Sequence, residues 1–66
     1  MSRKNLKLYR VAQDLTQEEM AKSLGISTTT YNQIETGKRV PSYNVLKAFQ
    51  KVYKVSNEKV LDIYQQ

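Results

Sequence analysis

A glycine set between two helix starts constrains this chain more than any other feature. Leu15-Thr16-Gln17-Glu18-Glu19-Met20 is a complete helix-start signal. Thr16 can accept a hydrogen bond from the Glu19 amide, and the Glu19 carboxylate can reach back to the Thr16 amide. Leu15 and Met20 take the apolar positions that flank such a cap. The helix that begins at Gln17 is expected to run only to about Leu24, because Gly25 can take the positive φ that ends a helix. Ser27 then caps a second short helix, expected from Thr28 to about Thr36 and closed by Gly37. Two helices of about eight residues, joined by Gly25-Ile26-Ser27, can pack across one another at roughly 90–120°. That crossing needs a small residue on the first helix, and Ala21 is there. Ile26 supplies an apolar residue in the turn, and Tyr31 and Ile34 supply anchors on the second helix.

The rest of the chain reads as helices built around this pair. From about Arg3 to Gln13, Leu6, Tyr9 and Gln13 share one helical face, with Leu8, Val11 and Ala12 beside it. Lys38-Arg39-Val40-Pro41 forms a loop. Ser42 caps a fourth helix carrying Leu46, Phe49 and Tyr53, and Ser56 caps a fifth carrying Val60, Leu61, Ile63 and Tyr64. The expectation is an all-α fold of five helices in one domain, residues 1–66. A chain this short buries only about 60% of its unfolded surface. It has no cysteine, so helix packing alone must stabilise it.

Histidine is also absent, and the six carboxylates are scattered. Without the commonest general base and the commonest metal ligands, an enzyme is not expected, nor are a metal, a cofactor or a small-molecule ligand. No apolar run approaches the roughly 20 residues of a membrane span, and the cytoplasm is the expected location. The net charge of +5 points to an acidic partner: nucleic acid, anionic lipid or an acidic protein. From Thr36 to Asn57 there is no acidic residue, while Lys38, Arg39, Lys47, Lys51 and Lys54 all lie there. A solvated basic surface is the plain alternative. The lysines are scattered and no long basic helix exists, which argues against a membrane surface as the partner.

The helix after Ser27 narrows the choice. Opposite its anchors stand Thr28, Thr29, Asn32, Gln33 and Thr36, all polar and uncharged. A merely solvated face would more often carry Lys and Glu, which are better helix formers than Thr or Asn. Uncharged hydrogen-bonding groups on a rigid helix suit the reading of base edges. Gln and Asn can pair with adenine, and Thr can offer a methyl to thymine or a hydroxyl to either strand.

Leu15-Thr16-Gln17-Glu18-Glu19-Met20-Ala21, then Leu24-Gly25-Ile26-Ser27, then Ile34-Glu35-x-Gly37-Lys38-x-x-Pro41-Ser42 resembles the phage repressor/Cro-type helix-turn-helix family, the XRE family. The likeness spans roughly residues 5 to 61. It implies a compact five-helix, repressor-like DNA-binding domain in which helices 2 and 3 form the helix-turn-helix. The implied function is sequence-specific binding of double-stranded DNA by a bacterial or phage transcriptional regulator, a repressor, acting as a homodimer on a palindromic operator.

The same resemblance implies residue roles. Thr28, Thr29 and Gln33 match positions that touch base edges, and Asn32 assists them. Gln17 matches a phosphate contact at the start of the second helix. Thr36, Lys38 and Arg39 match the phosphate-contacting end of the recognition helix and its loop, and Tyr43 and Asn44 approach the sugar-phosphate chain. Arg10 and Glu35 match an internal ion pair between the first and third helices.

Three departures from the family pattern stand out. Tyr31 replaces the usual Ile or Val and has two readings: a larger core anchor, or a hydroxyl that emerges toward a phosphate. Lys54 stands where Gly is common, so the fourth helix ends either in a strained left-handed residue or with a different stop. Leu8 is apolar where a polar residue is usual, and the last helix has more apolar surface than one face needs. Leu8, Leu61, Ile63 and Tyr64 are therefore candidates for dimer contacts, with core filling as the alternative. The main rival function is a protein-interaction module, such as an antitoxin-like or accessory subunit using the same fold.

Overall fold

The computed structural model describes residues 2–65, and among these the regular elements are five helices with no strand. They are α1 (Lys4–Ala12), α2 (Gln17–Leu24), α3 (Thr28–Glu35), α4 (Tyr43–Tyr53) and α5 (Asn57–Tyr64). Four helices start on the caps that the sequence suggests. The side-chain oxygens of Thr16, Ser27, Ser42 and Ser56 accept from the amides of Glu19, Thr30, Val45 and Lys59. At α2 the exchange is reciprocal: Glu19 N donates to Thr16 Oγ1 at 3.1 Å, and Thr16 N donates to Glu19 Oε1 at 2.9 Å. Each cap satisfies an amide that has no partner within its helix, and is worth about 1 kcal/mol.

The stops are equally local. Gly25 sits at φ 74°, and the Gly25 and Ile26 amides donate to the Lys22 and Ala21 carbonyls. A Cβ added at Gly25 would meet nothing within 4 Å, so glycine is needed there for its backbone angle and not for space. At the end of α4, Lys54 adopts the left-handed conformation, φ 54° and ψ 47°. Of the two readings of that position, the strained one is what occurs.

α2 and α3 pack on each other across the Gly25 turn, with Ala21 buried at the crossing. α1 lies against α3 and α5, and α4 lies against α2 and α5. Leu6, Met20, Leu24, Tyr31, Ile34, Val45 and Phe49 fill the space between them. Phe49 is the hub of an aromatic cluster, with the rings of Tyr9, Tyr53 and Tyr64 centred 5.3, 5.1 and 5.1 Å away. Edge-on and tilted contacts of this kind add to the burial of each ring. Tyr53 also reaches α2, where its hydroxyl lies 2.7 Å from Ser23 Oγ.

This packing decides which apolar residues face inward, and it corrects one part of the sequence reading. In α1 only Leu6 and Tyr9 turn toward the core, and Leu8, Val11 and Ala12 are exposed. Nine residues of helix present one narrow stripe, and α3 and α5 cover only that stripe. Conversely, Ile63 and Tyr64, expected among the dimer contacts, are only 3% and 7% exposed and belong to the core. α5 packs on both α1 and α4, and those two contacts draw Ile63 and Tyr64 inside.

Candidate nucleic-acid interface

Helical spacing divides α3 into two faces. Tyr31, Ile34 and Glu35 recur at three and four residues and are buried. Thr28, Thr29, Asn32 and Thr36 are exposed, and Gln33 is half-buried at their edge. The uncharged polar stripe after Ser27 therefore faces solvent over the whole helix.

The inner face is held by a saturated carboxylate. Arg10 Nε donates to Glu35 Oε2 at 2.8 Å, and Arg10 Nη2 donates to Glu35 Oε1 at 3.2 Å. Tyr31 Oη donates to Oε2 at 2.7 Å, and Gln17 Nε2 donates to Oε1 at 3.0 Å. Burial by itself pushes the Glu35 pKa up, but the bonds from Arg10, Tyr31 and Gln17 outweigh it and leave the carboxyl below its ordinary value. The bond to Glu35 holds Arg10 above the usual arginine range. Tyr31 is raised, first by burial and then by its bond to Glu35. The hydroxyl of Tyr31 thus points inward, and the reading in which it emerges to meet a phosphate is excluded. Arg10 also donates to the Leu15 carbonyl at 2.7 Å, tying α1 to the start of α2.

This network reaches the surface through Gln17, which is half-buried. Its amide nitrogen serves Glu35, and its Oε1 accepts from Asn32 Nδ2 at 3.3 Å. One amide therefore connects an interior ion pair to the outward face of α3. At the other end of that face, Arg39 Nε donates to Gln33 Oε1 at 3.0 Å. The Lys38 and Arg39 amides both donate to the Gln33 carbonyl, at 2.8 and 3.1 Å, so the loop folds back onto the helix. Thr36 Oγ1 donates to the Asn32 carbonyl at 2.8 Å, leaving its oxygen lone pairs toward solvent. Tyr43 and Asn44 open α4 as exposed residues, and Lys47 Nζ stands 5.8 Å from the centre of the Tyr43 ring.

The structure brings in three cations that the sequence reading did not assign. Lys4 and Lys7 line a cleft of about 340 Å³ together with Ser2, Arg10, Gln17, Glu35 and Thr36, so α1 adds positive charge beside the start of α2. Their spacing of three along a helix was the available signal. Arg3 is buried instead. It donates from Nε to the Tyr64 carbonyl and from Nη1 to the Ile34 and Arg39 carbonyls. A positive residue at the N-cap of a helix opposes the helix dipole, and that local conflict was the only hint of a tertiary role. Of the expected dimer contacts, Leu8 and Leu61 remain exposed. Leu61 is 67% exposed and Val40 is 79% exposed, and both border an apolar groove of about 520 Å³.

Residues 6–57 match a family described as Helix-turn-helix. An uncharacterized HTH-type transcriptional regulator of Methanocaldococcus jannaschii is 46% identical over 59 residues, covering 89% of this chain and 85% of that protein. Another uncharacterized HTH-type transcriptional regulator, from Archaeoglobus fulgidus, is 39% identical over 62 residues, covering 94% of this chain and 83% of its own length. Both relatives are archaeal, whereas the sequence resemblance pointed to bacterial and phage regulators. No solved structure gives a significant match.

Proposed function

The chain belongs to the helix-turn-helix family, of XRE type, and on that footing we propose that it is a repressor that binds double-stranded DNA sequence-specifically, with α3 in the major groove. The observation that carries this reading is the uncharged polar face of α3, exposed along its length and bordered by Lys38 and Arg39. Thr28, Thr29, Asn32 and Gln33 read base edges, where each good bidentate pair discriminates by about 1–3 kcal/mol. Gln17, Thr36, Lys38, Arg39, Tyr43 and Asn44 meet the sugar-phosphate backbone and set affinity and register. Arg10 and Glu35 work from inside, holding α1 and α3 at a fixed angle.

A single module of this size covers roughly 600–1,000 Å² on DNA, too little for high specificity alone. Two copies on a palindromic operator, with half-sites about 34–36 Å apart, supply the rest. Of the four residues expected at such a contact, Leu61 and Leu8 are the two that stay exposed. Repression then follows from occupancy of the operator.

Selection of bound duplexes from a random pool tests the proposal. The expected product is a two-fold symmetric motif with one helical turn between half-site centres. A pool without enrichment, together with no binding in dilute salt, overturns it and favours a protein-interaction module.

A further inference from the structure

We propose that Arg39 is a positioning residue that sets the base preference of Gln33, turning its amide from an adenine reader into a donor selective for guanine. This deepens the DNA-binding reading and rests on it. A free glutamine amide suits adenine because it offers one acceptor for the N6 amino group and one donor for N7. In this protein one of the two lone pairs of that acceptor is already engaged, since Oε1 of Gln33 receives Arg39 Nε at 3.0 Å. An adenine amino group that approached Oε1 would also face the guanidinium, donor against donor. The Nε2 hydrogens of Gln33 remain, beside the unused nitrogens of Arg39. The pair thus presents mostly donors, with the guanidinium beside the one remaining lone pair, and guanine answers with two acceptors, O6 and N7.

The arrangement is held at both ends. The Lys38 and Arg39 amides bind the Gln33 carbonyl, which fixes the loop against the helix that carries the reader. The Arg39 carbonyl accepts from the buried Arg3 Nη1 at 3.0 Å, which fixes the loop against the core. With both backbones tethered, only side-chain torsions remain to be ordered. Among the described residues no carboxylate pairs with Arg39 or draws its guanidinium from Gln33.

The test measures binding to the selected duplex with each of the four base pairs placed in turn at every position. The base pair read by Gln33 is the one at which Gln33→Ala loses discrimination. There the wild-type protein is expected to prefer guanine over adenine by about tenfold or more. Arg39→Ala is expected to abolish or reverse that preference at this position alone. In the Gln33→Ala background, Arg39→Ala then lowers binding to all four duplexes by one common factor. Lys38→Ala, which removes a neighbouring charge, is expected to weaken the four duplexes alike and leave the preference intact. Because Arg39 is exposed, these variants retain the fold, which thermal melts verify.

Uniform weakening by Arg39→Ala with the preference unchanged overturns the proposal and leaves the DNA-binding reading standing. So does a wild-type preference for adenine at that position, or a preference changed by Lys38→Ala. A wild-type protein with no sequence preference at all overturns both.

Discussion

Arg3 Nε donates to the main-chain carbonyl of Tyr64 at 3.0 Å, joining the N-cap of α1 to the last residue of α5. The same guanidinium reaches the Ile34 carbonyl at 2.6 Å and the Arg39 carbonyl at 3.0 Å, and the Arg3 amide donates to the Glu35 carbonyl at 2.7 Å. Arg3 is 4% exposed, and among the described residues no carboxylate pairs with it. Its charge is answered by carbonyls at the C-terminal ends of α3 and α5, where the helix dipoles are negative. One side chain therefore holds the entry of the chain, the end of the recognition helix, the basic loop and the final helix together.

Arg3→Ala removes three hydrogen bonds to carbonyls, two of them buried, and the Ile34 carbonyl keeps only the Gly37 amide. Hydrogen bonds to charged groups are worth about 1.5–3 kcal/mol each, and a domain of this length has a total of roughly 3–10 kcal/mol. The variant is expected to lose at least about 3 kcal/mol in urea denaturation. Arg3→Lys recovers only part of this, because an ammonium lacks the planar fork that reaches carbonyls in different directions. A loss below about 0.5 kcal/mol for Arg3→Ala would contradict the clamp.

Glu35 makes stability depend on acid. Its folded pKa lies below the ordinary 4.5, so the folded state binds fewer protons than the unfolded one through that range. The contribution is complete above the unfolded value and is lost as pH falls through the folded value. Urea midpoints are expected to hold steady near neutrality and to fall below about pH 4.5. Tyr31→Phe removes one of the four bonds, costs about 1.5–3 kcal/mol, and moves the acid transition upward. An unchanged acid transition in Tyr31→Phe would mean that the hydroxyl does not serve the carboxylate.

Lys54 carries backbone strain. A non-glycine residue in the left-handed region loses roughly 1–2 kcal/mol, part of which glycine returns to the more flexible unfolded chain. Lys54→Gly is expected to stabilise by about 0.5–1 kcal/mol, a rise of a few degrees in Tm for a domain this small. A fall in Tm would show that the lysine side chain outweighs its backbone.

The Tyr64 hydroxyl is buried without a hydrogen-bond partner among the described residues, and burial pushes its pKa up. Tyr64→Phe keeps the ring on Phe49 and removes a desolvated polar group. Equal or greater stability, by about 1 kcal/mol, is expected in thermal denaturation. A loss of that size would place a partner on the hydroxyl, as a dimer contact requires.

Lys38→Ala separates affinity from specificity. Binding is expected to weaken on every duplex by a common factor, and the slope of log affinity against log salt to fall by about one. A changed sequence preference would remove Lys38 from the phosphate-contacting set.

Helix starts and stops were legible in the residues because their causes are local. The Thr16–Glu19 exchange, the Ser27, Ser42 and Ser56 caps, and the positive φ of Gly25 each involve residues within four positions of one another. The outward polar face of α3 was legible for the same reason, since Tyr31 and Ile34 fix the inward direction by spacing alone. What spacing could not decide was which apolar faces find a neighbour. Leu8 is left outside while Ile63 and Tyr64 go in, because coverage depends on where distant helices lie. The inward turn of the Tyr31 hydroxyl, the Arg3 clamp and the occupied oxygen of Gln33 also lay beyond reach. The tertiary fold settled all of these, because a hydrogen-bond donor chooses among acceptors only after packing has brought them within 3 Å or so.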